Sequence, residues 1–419
     1  MLQKHTNMLQ KCNIFKCLSY NYTMEDIIKS LIKENMRLQL KVKEKFIKKR
    51  QSFDKFNKII NNNNFYMGIT GLRGIGKTTI LLQLCIENQG IYFSADSRDL
   101  KGYSIFEISK ELINKGYKKI FIDEIHLKPN WDLDLKNLYD KYDDVKIYFT
   151  GSSAIELKTL KADLSRRVLL EKLSPASFRE WLMIKKNIEI PIIPFEEIIE
   201  KKKELTEKYW EINEYMDEYY QMGGVLYSNE NFDEFYKTII STIETIIIKD
   251  LSSYKGYDPE IDNIVFSILN TIATSKPMEL SYEKLGQMTS KNKVWIMRFM
   301  ELLDKTELII RISAKGEGMK STKKEYKYYL PFPYRYCLCT HRNIKPNIGS
   351  LREEFFVNHL EICNYIKTSE KETSDFRYKN KKFEIGGINK KKKDEDYRVI
   401  EGIETNDNRI PLFLFGLIY

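Results

Sequence analysis

Cysteine is scarce. The 419 residues hold six (Cys12, Cys17, Cys85, Cys337, Cys339 and Cys363), and none sits in a CxxC pair matched by a second pair or by histidines at zinc spacing. That pattern argues against a zinc module and a disulfide framework, and fits a reduced, intracellular and hence cytoplasmic setting. No apolar run reaches 18 residues, so no membrane-spanning helix is expected. The opening MLQKHTNMLQKCNIFKCLSY lacks the continuous apolar core of a signal peptide. A better helical pattern starts at Met24, and residues 1–23 read as a loosely attached extension or as lying upstream of the true start. No NKxD-type guanine-reading motif occurs either.

What is present supports folded cores. Hydrophobic residues make up 42% and aromatics 13%, too rich for global disorder, and the length suits two or three domains. Charged residues reach 31% with a net charge of +10. The basic tilt favours an acidic partner, most simply nucleic acid such as DNA; a lysine-rich solubilising surface is the alternative.

The most informative stretch is FYMGITGLRGIGKTT, residues 65–79. A short apolar strand ends at Thr70 and gives way to Gly71-x4-Gly76-Lys77-Thr78, with a helical pattern following from Thr79. Glycines at Gly71, Gly74 and Gly76 let backbone N–H groups turn inward around phosphate oxygens, and the helix start adds its positive end. Lys77 then reaches the β- and γ-phosphates while the Thr78 hydroxyl ligates Mg²⁺, with Thr79 beside it. A second apolar strand ends in Asp123-Glu124, 46 residues beyond Lys77. There the aspartate is expected in the magnesium shell and the glutamate on the lytic water. A third strand, VKIYFT, ends at Thr150 near Ser152 and Ser153. Placed between the other two, it aims Thr150 at the γ-phosphate or the water, while the serines suit a helix cap. Strand–helix alternation predicts an α/β fold: a parallel sheet covered on both faces, with the site at the strand C-termini. The acidic motif reads DE rather than DxxG, which favours ATP over GTP.

In order along the chain, GLRGIGKTT, IFIDEIHLKPNW, IYFTGSSA, LSRRVLLEKLSPASFREWL, Gly223-Gly224, GSLREEFF, KKFEIGG and IPLFLFGLIY resemble archaeal and bacterial AAA+-type P-loop ATPases that carry a C-terminal nuclease-like extension. The resemblance implies an ATPase core, a helical lid, a winged helix and a restriction-endonuclease-like tail of the PD-(D/E)xK type. It also implies an arginine after the sensor strand, in an LSGR-like segment. Here Arg166 replaces the glycine and Arg167 fills the arginine slot, able to neutralise γ-phosphoryl charge in cis or from a neighbouring copy.

Residues 195–222 read as one charged amphipathic helix stopped by Gly223-Gly224, followed by a second helix from Phe232 to Lys249. Residues 260–331 read as three helices and a hairpin, the order of a winged helix-turn-helix. Residues 311–328 carry six basic and two acidic side chains, which suits phosphate contact. The third helix is mixed, so DNA binding and a structural or protein-contact role both stay open. In SDFRYKNKKFEIGG a two-residue turn at Lys379-Asn380 sets Asp375 opposite Glu384, and with Glu353 upstream this is the carboxylate set of a metal-dependent nuclease. The motif lysine is replaced by Gly386, with Lys382 and Lys390 nearby. The reading is therefore a vestigial nuclease fold kept for docking.

The expected domains are an N-terminal helical extension (1–50), the P-loop core (51–190), the lid (191–255), the winged helix (256–335) and the small α+β nuclease-like domain (336–419). The expected function is ATP binding and hydrolysis acting on or near nucleic acid. The alternative is an ATP-dependent regulatory switch that binds a protein partner or its own copies and has no nuclease activity.

Overall fold

The computed structural model describes residues 23–151, 164–227, 231–251, 260–276, 281–314, 326–360, 363–366, 374–387 and 395–419. Helix α1 (Met24–Lys45) starts at a capping box, Thr23 and Asp26 each bonding the other's backbone N–H. It is followed by α2 (Ser52–Asn62), β1 (Tyr66–Thr70), α3 (Lys77–Glu87), β2 (Ile91–Ser94) and α4 (Ile105–Asn114). Next come β3 (Lys119–Asp123), α5 (Trp131–Lys141), β4 (Lys146–Thr150) and β5 (Val168–Lys172). The five strands form one sheet in the order β5-β1-β4-β3-β2, every pair parallel.

Both faces of this sheet are covered, which is why its strands read as continuous apolar runs. On one face Met67, Ile69, Tyr92, Phe121 and Tyr148 pack beneath Leu81, Leu84 and Cys85 of α3. On the other, Ile91, Phe93, Ile120, Ile122, Ile147 and Phe149 meet Ile105, Ile108, Leu112, Leu135 and Leu138 of α4 and α5. Register sets side chains of neighbouring strands in rows. Tyr92, Phe121, Tyr148 and Met67 form one row under α3. Two residues further on, the same alternation brings Ser94, Asp123, Thr150 and Ile69 to the C-terminal edge.

Beyond β5, α6 (Phe178–Trp181) runs into a π-helical turn. The single helix expected over residues 195–222 is instead three: α7 (Phe195–Glu200), α8 (Lys202–Tyr209) and α9 (Met216–Met222). The breaks fall where the backbone leaves helical geometry, at Lys201 (φ −110°) and Tyr209 (φ −124°). Then follow α10 (Phe232–Thr245), α11 (Glu260–Thr274), α12 (Tyr282–Thr289) and α13 (Lys293–Lys305), with the antiparallel strands β6 (Ile310–Ser313) and β7 (Tyr326–Tyr329). Residues 315–325, most of the expected basic loop, lie outside the described residues.

Helices α14 (Tyr334–His341) and α15 (Ile348–His359) lead into a second sheet of β8 (Asn364–Tyr365), β9 (Phe376–Tyr378), β10 (Lys381–Gly386), β11 (Tyr397–Ile400) and β12 (Arg409–Pro411). Its order is β12-β11-β10-β9-β8, antiparallel from β8 to β10 and parallel from β10 to β12. Lys379 and Asn380 both have positive φ (43° and 63°), as a two-residue hairpin turn of the primed kind requires. The core of this sheet is aromatic: Phe356, Phe376, Phe383 and Phe415 pack against Phe195 and Tyr219 of the 195–222 helices. The span expected to be a lid thus divides. Residues 195–222 belong to the second sheet's core, while Val225 and α10 join the core beneath α3.

A buried ion pair ties the halves together. Arg50 and Glu180 lie 2.7 Å apart with side chains 6% and 1% exposed. The Arg50 guanidinium holds Glu180 below its ordinary 4.5 against the opposing pull of burial. Arg50→Met strands that carboxylate and is expected to lower stability by about 3–5 kcal/mol, read by denaturant or thermal unfolding. A glutamate with a lowered folded pKa stabilises above its unfolded value and loses that contribution as pH falls through the folded one. The parent's stability therefore declines as pH drops below 4.5, and the variant loses this share of the acid dependence.

Candidate functional site

Residues 71–76 turn between β1 and α3. At Gly71 (φ +147°) an added Cβ would lie 2.4 Å from the Leu173 carbonyl oxygen; at Gly74 (φ +83°) it would lie 2.2 Å from the Tyr227 hydroxyl. Only glycine satisfies both the backbone and the space. The turn sets Lys77 at the first position of α3, beside the positive end of an eleven-residue helix. Lys77 is 6% exposed. Its ammonium donates to the carbonyls of Gly71 and Leu72, both at 2.8 Å. Burial pushes its pKa down, opposed by the nearby carboxylates Glu124 and Glu307.

Opposite stands Asp123, ringed by hydroxyls. Its Oδ2 accepts from Thr78 Oγ1 at 2.8 Å and from Tyr92 Oη at 3.1 Å, and its Oδ1 accepts from Thr150 Oγ1. Burial raises its pKa and the hydroxyls pull it back. Thr150 Oγ1 also accepts the Glu124 N–H at 3.2 Å, so one threonine links both acids. Glu124 takes a left-handed backbone (φ 51°), rare for a non-glycine residue and frequent where function imposes strain. Its carboxylate lies 3.7 Å from His126 Nε2. A hydroxyl and a carboxylate in contact offer hard oxygen donors, which fits Mg²⁺.

Lys77, Thr78, Asp123, Glu124 and Thr150 are thus brought together. Arg167 is not. Its carbonyl accepts from Tyr66 N at 2.8 Å, and its guanidinium grips both Asp140 oxygens at 2.8 and 3.0 Å. Because β5 runs parallel to β1, the residue before β5 sits at the opposite end of the sheet, about 17 Å of strand away from the level of Thr70. The expectation that Arg167 serves the phosphate site in cis is corrected accordingly. Ser152 and Ser153 lie outside the described residues.

Sequence reasoning missed a neighbouring cavity of about 310 Å³. It adjoins Gly74, Gly76 and Thr79 and is walled by Phe46, Ile47, Ile80, Ile184 and Leu226. Gln83 holds the strap after α1 through the carbonyls of Phe46 (2.8 Å) and Lys48 (3.0 Å). The available signal was two consecutive large apolar residues just past a capped helix, 44% and 74% exposed.

In the second sheet, Asp375 faces Glu384 by extension of the hairpin register, as expected. Asp375 Oδ2 accepts from Ile385 N at 2.9 Å, while Glu353 accepts the Tyr329 hydroxyl at 2.9 Å. Among the described residues no group of three or more His, Cys, Asp or Glu side chains is arranged to hold a metal ion. Lys390 lies outside the described residues, as does most of the lysine run around it. No helix among the described residues is long and apolar enough to cross a membrane.

Comparison with known proteins agrees with the first sheet and its glycine loop: the AAA domain family matches residues 63–182. This part of the chain is an AAA-type P-loop ATPase domain. The chain is 34% identical over 319 residues to the uncharacterized protein MJ1637 of Methanocaldococcus jannaschii, covering 70% of this chain and 67% of that one. It belongs to the same family as MJ1637. A second protein of that organism, the uncharacterized protein MJ1544, is 23% identical over 344 residues, covering 76% and 70%. Solved structures with a likeness include the Walker-type ATPase PABY2304 of Pyrococcus abyssi, 14% identical with a TM-score of 0.41, covering 70% of this chain and 95% of that one. The Thermotoga maritima RuvB Holliday junction branch migration motor is 12% identical with a TM-score of 0.29, covering 71% and 95%.

Tyr227 closes over the loop: Leu226 N donates to the Gly74 carbonyl at 3.4 Å, and the Tyr227 hydroxyl meets Thr242 at 2.9 Å. Gly74→Ala should lift this segment. Amide exchange at residues 225–227 is expected to quicken about tenfold or more, given the 1–2 kcal/mol of left-handed strain alone.

Proposed function

We propose that this chain binds ATP with Mg²⁺ between the glycine loop and the Asp123–Glu124 pair, hydrolyses it, and passes the change to its C-terminal half. The observation that carries the reading is the 2.8 Å contact between Thr78 and Asp123, which joins the two halves of a phosphate–metal site. Mg²⁺, when bound, supplies charge neutralisation along the phosphates. Thr78 and Asp123 hold it. The Lys77 ammonium exchanges the Gly71 and Leu72 carbonyls for β- and γ-phosphate oxygens. Glu124 orients the attacking water and takes its proton, and Thr150 fixes the backbone that carries Glu124. The apolar cavity between Phe46 and Leu226 takes the base.

Support for coupling comes from Glu307, in the turn after α13. It pairs with Lys172 at 3.5 Å, and Lys172 stands level with Thr70 in the sheet register. A carboxylate of the C-terminal half therefore faces the end of the sheet that receives phosphate. The helices α11–α13 with β6 and β7 serve as a winged helix in this reading, and the net charge of +10 favours DNA as what it meets. One observation favours a protein partner instead. Lys291 and Lys293 are ion-paired with Glu260 and Glu283, while Val294 and Met288 are 57% and 47% exposed. The second sheet with Glu353, Asp375 and Glu384 is read as a nuclease-like docking module without cleavage. With Arg167 at the far end of the sheet, any phosphate contact it makes comes from a neighbouring copy.

Lys77→Ala is expected to abolish binding of a fluorescent ATP analogue and phosphate release. Glu124→Gln should keep binding and slow hydrolysis by about 10²–10⁴-fold. Parent-like hydrolysis in both variants overturns the site. DNA that stimulates turnover, with salt-sensitive affinity differing between ATP and ADP, supports the first partner reading; no DNA binding at low salt supports the second.

Glu307→Gln removes a negative charge facing the phosphate end, and ATP affinity is expected to rise about two- to fivefold, measured by titration calorimetry.

A further inference from the structure

Nothing in the sequence marks Tyr92 as a site residue, yet its place in the sheet brings it to Asp123. It lies on β2, the edge strand, on the face that α3 covers, level with Phe121 and Tyr148. That row is two residues short of Asp123, about 6.6 Å of strand, which is the reach of a phenol. The ring fills the row as phenylalanine does at Phe121, so packing alone does not call for the hydroxyl. A buried phenol needs a partner. Tyr92 finds it in the carboxylate, 3.1 Å from Oδ2, the oxygen that also accepts from Thr78. Its backbone is fixed as well: Tyr92 N donates to Asn35 Oδ1 at 3.0 Å, and the Asn35 side chain is held by Gln39 at 3.1 Å. Helix α1 thereby clamps the edge strand at this residue.

We infer that Tyr92 is a positioning residue for the metal: its hydroxyl fixes the rotation of the Asp123 carboxylate so that Asp123 is presented to the divalent ion beside Thr78. Two donors on one oxygen and a third on the other leave the carboxylate a single orientation. Thr78 can offer a lone pair to the cation while still donating its proton to Asp123. Tyr92 spends its proton on the carboxylate, so its contribution is orientation. The inference rests on the nucleotide–metal reading of the site.

The test is Mn²⁺ binding to the full chain with ADP, followed by electron paramagnetic resonance, beside ADP binding in excess EDTA. Tyr92→Phe is expected to weaken Mn²⁺ binding about tenfold or more, the usual cost of removing a partner that orients a metal ligand, and to leave metal-free ADP affinity unchanged. Tyr148→Phe is the control. It removes a phenol from the same row whose hydroxyl donates to the Ile60 carbonyl at 3.3 Å, and it should leave both affinities unaltered. Mn²⁺ affinity in Tyr92→Phe within twofold of the parent overturns the inference, as does equal weakening in Tyr148→Phe. Parent protein that binds ADP but no Mn²⁺ overturns the metal site itself, and parent that binds neither overturns the nucleotide reading. Should Tyr92→Phe not fold, Tyr92→Leu carries the same expectation.

Discussion

Arg50 reaches three separate segments from a position almost sealed from water. Its guanidinium donates to the Ile75 carbonyl in the glycine loop at 3.0 Å, to the Ser174 carbonyl beyond β5 at 2.9 Å, and to Glu180 at 2.7 and 3.2 Å. Glu180 in turn accepts Gln51 N at 3.0 Å and Ser177 N at 3.3 Å. A guanidinium suits this place because its planar fork serves several acceptors at once and stays charged. Without it the loop, the exit of β5 and the start of α6 have no common anchor. From α6 the contacts continue into the second sheet: Phe178 N donates to His359 Nε2 at 2.9 Å, and Ser177 donates to the Tyr419 carbonyl. His359 can accept there because burial holds it neutral, with its pKa lowered to about 4. The back of the glycine loop and the C-terminal half therefore share one hydrogen-bonded path.

The front of the loop is organised differently, by strand order. Inserting β4 between β1 and β3 places three strand ends side by side, and the two-residue alternation of parallel strands then selects which side chains meet. Asp123 and Thr150 share a row and a face, while Thr78 comes from the helix that covers that face. The arrangement needs no long-range coincidence of loops. It follows from register, which is why a few residues widely spaced in sequence converge within hydrogen-bonding distance.

These two kinds of contact explain what the sequence could reveal. The glycine loop, the acidic strand end and Thr150 were legible because each is written locally, as an apolar strand run followed by a residue type that chemistry requires. The position of β4 between its neighbours was legible too, since only that order makes Thr150 useful. Of the two roles expected for Arg167, the one in cis fails because a motif gives the residue but not the direction of the strand after it; in a parallel sheet that direction puts it at the end away from the loop. The 195–222 segment was assigned to a lid from its polarity pattern. Its buried face, Phe195, Ile198, Leu205, Ile212 and Tyr219, matches an aromatic sheet core encoded some 150 residues later, and no local signal names that partner. The cavity behind Phe46 escaped for the same reason, being made by four distant segments.

Electrostatics ties the back path to the front. The site holds one buried ammonium near Asp123, Glu124 and, from the C-terminal half, Glu307, with Arg73 close by in the loop. On the proposed reading a triphosphate adds negative charge where these carboxylates already are, and Glu307 is the one that the C-terminal half contributes. Asp123 is held by three hydroxyls, while Glu307 sits in a turn at positive φ (62°) and pairs with Lys172 at 3.5 Å. On the proposed reading, charge entering the loop acts on a carboxylate of the turn that follows α13. That carboxylate is the contact by which the proposed chemistry at Lys77 reaches the C-terminal half.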